Sequence, residues 1–340
     1  VKKVLIIRFS ALGDVAMTIP VTYSLAQQHP DTEFVFLSKP ALRKLFFNAP
    51  ANFRFEAIEY KDKHKGLGGI VRLFLELRNE KFDAVADLHG VLRSYMLRGL
   101  FRVSGVKTAG IDKQRRDKKE LVKPDNKVRE ELPTSFDRYE AVFRKLGFRF
   151  KPLFDSIFEE KGNIENIREL TGTKTSKWIG IAPFAKHKGK IYPIAKMGKV
   201  VEQLSHEGVT LFLFGGGKEE REILEKWQSA YPNTISTVGK IDMEKELNLM
   251  SHLDGMVTMD SGNMHLASLV GCPVVSVWGA THPCAGFYGW YQDRRNAVQI
   301  DLLCRPCSIF GDKPCYRKDY ACMTLITPEM IVERVKKAFK

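Results

Sequence analysis

Short apolar runs alternate with longer amphipathic segments along all 340 residues. In the first half "VLIIRF", "EFVFLS", "DAVADL" and "KTAGI" read as strands; in the second, "WIGIAPF", "VTLFLFGG", "DGMVTMD" and "CPVVSVWG" do. Between them, residues 21–29, 70–78, 196–206 and 218–231 carry apolar positions at helical spacing. Buried strands alternating with helices predict an α/β chain with doubly wound parallel sheets, covered by helices on both faces. The length exceeds the usual domain size of about 100–200 residues, so two such domains are expected.

A polar, basic stretch, "DKQRRDKKELVKPDNKVREELP", separates the two strand sets. It is followed by a helix-like "SFDRYEAVFRKLGF" and a loose "EEKGNIENIRELTGT". This pattern predicts a first domain over 1–165, a second over 166–327, and a last helix over 328–340 that packs back on the first domain. The charge run is either a solvated loop or an arm that closes over an anionic substrate. Ligands of doubly wound sheets bind beyond the carboxyl ends of the strands, so the stretches that follow strands are where chemistry is sought.

Charge narrows the partners. The formal net charge is +14 with a pI near 9.4, which suits nucleic acid, an anionic membrane face, a phosphorylated small molecule, or plain solubility. No apolar stretch reaches the ~18–20 residues of a membrane span, and the N-terminus lacks a secretory pattern, so a cytoplasmic protein is expected. Six cysteines in a chain this long do not suggest a disulfide scaffold.

Four stretches after strands carry candidate chemistry. In "RFSALGDVAMTIP", Ser10, Gly13 and Asp14 follow the first strand. Gly13 lets the chain turn, and Asp14 is placed as a helix N-cap or as a carboxylate that takes a proton from an attacking hydroxyl. In "MDSGNMHLAS" the N–H groups of Ser261, Gly262 and Asn263 open a helix and can face an anion, with His265 one turn in. "APFAKHKGKIYP" sets Lys186, His187, Lys188 and Lys190 on a loop suited to a diphosphate, although it is not a P-loop. "FGGGKEERE" ends a strand in three glycines before Glu219 and Glu220. No Gly-x-Gly-x-x-Gly follows the first strand, which counts against a dehydrogenase.

These stretches resemble the heptosyltransferases of glycosyltransferase family 9, the bacterial enzymes of the lipopolysaccharide inner core. The resemblance rests on "SALGDVAMTIP", on "DLHG" with Arg93 and Ser94 beyond it, on Lys190 to Pro193 as a K-x-Y-P, and on "DSGNMHLASLVGCPVVSVWG". It implies a GT-B fold, two Rossmann-like domains facing across a cleft, and inverting transfer of heptose from ADP-heptose to an anionic, lipid-linked saccharide. It further implies Asp14 as general base, with Ser10, Gly13 and Arg93 toward the acceptor. Lys186, Lys190, Glu219, Asp260, Ser261, Gly262 and His265 would hold the donor. No cofactor is implied for catalysis, and peripheral contact with the inner membrane is expected. The chain departs from the family at Phe184-Ala185-Lys186, which looks like an insertion, and at Ser261, where threonine is common.

"CRPCSIFGDKPCYRKDYAC" places Cys304, Cys307, Cys315 and Cys322 close in sequence. They can hold a structural Zn²⁺, stay as packed thiols, or form disulfides. Two rivals to the heptosyltransferase reading stand beside it: a GT-B enzyme with another nucleotide sugar, and a basic nucleic-acid-binding protein with a zinc tail. The second lacks an aromatic stacking motif or recognition helix and leaves the "DSGNMH" loop unexplained.

Overall fold

The computed structural model describes residues 1–340 except Asn126 and Val128. The chain forms two compact units, Val1–Gln114 with Pro133–Ile157, and Arg115–Leu132 with Phe158–Lys340.

The first unit runs β1 (Lys3–Ile7), α1 (Leu12–Ala16), α2 (Ile19–Gln28), β2 (Glu33–Ser38), β3 (Phe53–Ala57), α3 (Gly66–Arg78), β4 (Ala84–Asp87), α4 (Leu92–Val103) and β5 (Lys107–Gly110). After α5 (Arg115–Leu121), which belongs to the second unit, α6 (Ser135–Leu146) completes it. The parallel sheet has the order β3-β2-β1-β4-β5. β1 is central because Val4 to Ile7 are apolar and fully buried on both faces. On one face Leu5, Ile7, Val35, Leu37 and Val85 pack under α3 and α4. α6 starts with a reciprocal cap, Thr134 Oγ1 accepting from Asp137 N and Asp137 Oδ2 from Thr134 N, and ends at Gly147 with φ 101°.

The second unit continues with α7 (Arg168–Thr171), β6 (Trp178–Ala182), α8 (Ile194–Ser205), β7 (Thr210–Leu213), α9 (Gly217–Ala230), β8 (Thr234–Ser236), α10 (Met243–His252), β9 (Gly255–Met259), α11 (Gly262–Leu269), β10 (Val274–Val277), β11 (Ala297–Val298), α12 (Ala321–Thr324) and α13 (Pro328–Ala338). Its parallel sheet has the order β11-β10-β9-β6-β7-β8. The eight strands read from sequence are present. Three more are present: β8 and β11 are short, and β3 alternates phenylalanines with Arg54 and Glu56, which hid it as an edge strand.

The domain limits differ from the expected ones. The C-terminal helix α13 belongs to the second unit, where Ile331, Val332 and Val335 join the sheet core beside Met197, Val200 and Val257. The basic stretch 115–132 is also docked there: Leu121 packs with Cys284, Ala285 and Ile309, and Leu132 N donates to Cys284 O. Lys127 Nζ donates to the carbonyls of Cys304 and Pro306, both at 2.7 Å. The second crossing falls at Ile157, whose carbonyl accepts from Asn48, because Gly162 already bonds Ser251 of α10. Among the described residues no helix is long and apolar enough to cross a membrane.

Candidate active-site residues in the two units

In the first unit, β1 delivers Arg8 to the end of the sheet and α1 begins four residues later. Asp14 is not the N-cap residue. It sits at the third helical position, where its Oδ2 accepts the Ala11 N–H at 3.2 Å, because the helix starts three residues earlier than its N-cap reading requires. The same oxygen meets Arg8 Nη2 at 2.9 Å. Arg8 is buried, and its Nη1 donates to Leu88 O at 2.8 Å. Burial works against the guanidinium charge, yet Tyr139, Asp14 and Asp87 raise its pKa beyond the usual arginine value. The carboxylate is thus held in one orientation from a cation that is itself fixed. Gly13 lies inside α1 and is not among the residues with positive φ, so the turn does not depend on it.

Beside Asp14's loop lies a cavity of about 760 Å³ lined by Phe9, Ser10, Lys39, Tyr60, His89 and Arg93, among others. Ser10 and Arg93, which follow different strands, both line it. The Arg93 guanidinium lies 4.8 Å from the Tyr60 ring centroid, and Phe9 meets that ring edge-on at 5.2 Å. His89 is pushed down to about 3 by burial and then by Arg8 and Lys113, so it lines the cavity as a neutral ring.

In the second unit, Lys190 Nζ lies 2.8 Å from Asp260 Oδ2, and Thr281 Oγ1 donates to the same oxygen at 2.8 Å. Asp260 is 3% exposed. Ser261 is the N-cap residue of α11, Gly262 opens the helix, and His265 is buried one turn in. The Ser261 Oγ is buried with no hydrogen-bond partner among the described residues. Lys190, Asp260, Ser261 and Gly262 therefore meet where β9 hands over to α11: a cation, a helix N-terminus and an unused hydroxyl. Lys186 is exposed on the same loop. Glu219 stands on the outer side of α9, by Glu222, Ile223 and Lys226. It is Glu220 that turns to the glycine run, accepting the Gly216 N–H at 2.6 Å and lying near Gly215 with Phe184.

The loop that carries Lys190 is fixed by close backbone contacts. A Cβ on Gly189 would lie 2.8 Å from Ala280 Cβ and 2.9 Å from Gly311 O, so only glycine fits. The cysteine-rich tail supplies this buttress. Arg305 is 1% exposed and donates to Gly279 O (2.5 Å), Ile300 O (2.6 Å), Thr281 O (2.9 Å) and Gln299 Oε1 (3.0 Å). It thereby holds the 279–281 turn that carries Thr281 onto Asp260. Arg305→Met leaves these carbonyls without their donor and is expected to cost roughly 3 kcal/mol or more. Urea unfolding checks this; a variant within about 0.5 kcal/mol of wild type would show that the arginine holds nothing.

All six cysteines are free thiols. Among the described residues no group of three or more His, Cys, Asp or Glu side chains is placed to hold a metal ion. Burial, then Cys304 and Cys315, push the Cys307 thiol up.

The profile of glycosyltransferase family 9 (heptosyltransferase) matches residues 70–315, most of the chain. The chain belongs to that family. It is 25% identical to lipopolysaccharide heptosyltransferase 1 of Campylobacter coli, with 99% of each chain covered. A family 9 glycosyltransferase of Veillonella parvula shares the fold at a TM-score of 0.75 and 18% identity, over 99% of this chain and 97% of that one. The E. coli heptosyltransferase WaaC with ADP-2-deoxy-2-fluoro heptose superposes at 0.69 and 16% identity, over 98% and 99%. The protein is a glycosyltransferase with the GT-B fold expected from its sequence.

Arg8, Tyr60, Thr281 and Arg305 were not found by sequence reasoning, and Glu220 was named there beside Glu219 but not chosen. Each acts on a partner distant along the chain or one helical step from the residue chosen. Only Glu220 carried a signal, in the four-residue reach that lets a side chain return over a glycine turn.

Proposed function

We propose that the protein transfers heptose from ADP-heptose to an anionic, lipid-linked saccharide of the lipopolysaccharide inner core, with inversion at the anomeric carbon. The pair of Lys190 with the buried Asp260 at the N-terminus of α11 is the observation that carries this reading. A diphosphate there meets a lysine ammonium, the Ser261 hydroxyl and the first N–H groups of the helix, so its departing charge is met without a metal ion. The E. coli neighbour with an ADP-sugar analogue and the Campylobacter coli heptosyltransferase support the donor and the acceptor classes.

In the reaction an acceptor hydroxyl oxygen bonds to the anomeric carbon while the bond from that carbon to the β-phosphate oxygen breaks. The electron pair leaves with ADP, and the hydroxyl proton passes to Asp14. Arg8 and the Ala11 N–H orient that carboxylate. Ser10 and Arg93 take the acceptor in the cavity of the first unit. On the donor side His265 and Lys186 add contacts to phosphate or sugar, and the donor contact expected of Glu219 falls to Glu220. An acceptor of this kind places the protein at the cytoplasmic face of the inner membrane.

Thermal unfolding with ADP, UDP and GDP tests the donor. ADP at about 100-fold above its Kd stabilises the binding unit by about 2.7 kcal/mol, and the midpoint rises accordingly. A larger rise with UDP or GDP would assign another nucleotide sugar to this GT-B enzyme.

A further inference from the structure

α3 and α4 lie over the same face of the first-unit sheet and bury Ile70, Leu73, Phe74, Leu77, Leu97 and Phe101 against it. Their outward faces are not those of solvated helices. On α3, Leu67, Val71 and Leu75 recur every fourth residue and are 69%, 44% and 48% exposed. On α4, Leu92 and Val103 are 74% and 90% exposed, with Tyr95 between them. Single exposed leucines need no explanation, but two stripes on neighbouring helices do.

Cations flank both stripes. α3 carries Arg72 and Arg78, and α4 carries Arg93 and Arg102 with no acidic residue at all. The one acid of α3, Glu76, is bound by Lys63 and His64. Exposed leucines set among arginines fit a surface with an apolar interior and an anionic rim, which is what a bilayer of acidic phospholipid offers. A protein partner's apolar face would leave those arginines to be desolvated or paired. The acceptor cavity adjoins this face, since Tyr60, Lys61 and Asp62 of the loop leading to α3, and Val91 and Arg93 at the start of α4, line it.

We infer that the outward face of α3 and α4 docks on an anionic bilayer, with Leu67, Val71, Leu75 and Leu92 at the boundary of headgroups and acyl chains. Arg72, Arg78 and Arg102 meet the lipid phosphates. Resting on the reading of the acceptor as lipid-linked, this places the mouth of the cavity at the surface where such a saccharide emerges.

Co-sedimentation of the full chain with vesicles tests it, using phosphatidylcholine alone and phosphatidylcholine with about one-third phosphatidylglycerol. Binding is expected to the anionic vesicles, to weaken with salt, and to fall about 10-fold or more in Leu67→Ser/Leu75→Ser and in Arg72→Gln/Arg102→Gln. Leu67→Trp, which keeps a bulky apolar side chain, gains a blue-shifted emission on anionic vesicles. The rise in unfolding temperature with ADP stays as in wild type, so a failed donor assignment is told apart from a failed docking surface. Absence of vesicle binding, binding unaffected by the leucine pair, or a leucine pair that only turns a dimer into monomers would overturn the inference.

Discussion

Asp14→Asn should fold, bind ADP as wild type does, and lose roughly 10²–10⁴-fold in kcat, the usual loss of a general base. The amide is isosteric, and its oxygen still accepts from Arg8 Nη2 and the Ala11 N–H, so the α1 start survives. What it cannot do is take the acceptor's proton. Steady-state kinetics with ADP-heptose checks this, with the unfolding midpoint as control. Arg8→Met separates positioning from chemistry, because the carboxylate remains but is no longer oriented. It should reduce kcat less than Asp14→Asn does while leaving the pH profile bounded by a carboxylate. Equal rates in wild type and Asp14→Asn would remove Asp14 from the reaction.

Lys190→Ala should weaken ADP at least about 10-fold, the loss of one charge-assisted contact to a diphosphate. The same change should lower stability, since among the described residues the Asp260 carboxylate then keeps only the Thr281 hydroxyl. Breaking a fully buried pair costs about 3–5 kcal/mol, and Lys190 retains 16% side-chain exposure, so about 2–3 kcal/mol is expected here. Lys190→Ala/Asp260→Asn removes the unpaired charge and should recover much of the stability without recovering ADP affinity. Calorimetric titration of both variants with ADP checks the split. ADP affinity unchanged in Lys190→Ala would move the diphosphate site elsewhere.

The doubly wound architecture was legible because buried parallel strands such as Val4–Ile7 and Phe34–Leu37 are apolar on both faces. Edge strand β3 was not, because Arg54 and Glu56 interrupt it. The docking of 115–132 was hidden for a related reason: one buried leucine, Leu121, and a half-buried lysine, Lys127, anchor a segment whose composition reads as solvated. Asp14, Lys190 and Asp260 to Gly262 stood out as candidates because each lies in a stretch that follows a strand, where loops meet ligands. Arg8 and Arg305 look like ordinary charges in sequence. Their roles come from carbonyls of residues 80 and 26 positions away, Leu88 and Gly279, which only folding brings near. The register of the acidic pair turned on one helical step, and Glu220 was the member facing Gly216.

The most direct test incubates the protein with ADP-heptose and lipopolysaccharide from a heptose-deficient bacterial strain, and follows acceptor mass and ADP release together. The wild type should add one heptosyl residue per ADP released, and Asp14→Asn almost none over the same interval. No gain from ADP-heptose, where another nucleotide sugar does modify the acceptor, would contradict it.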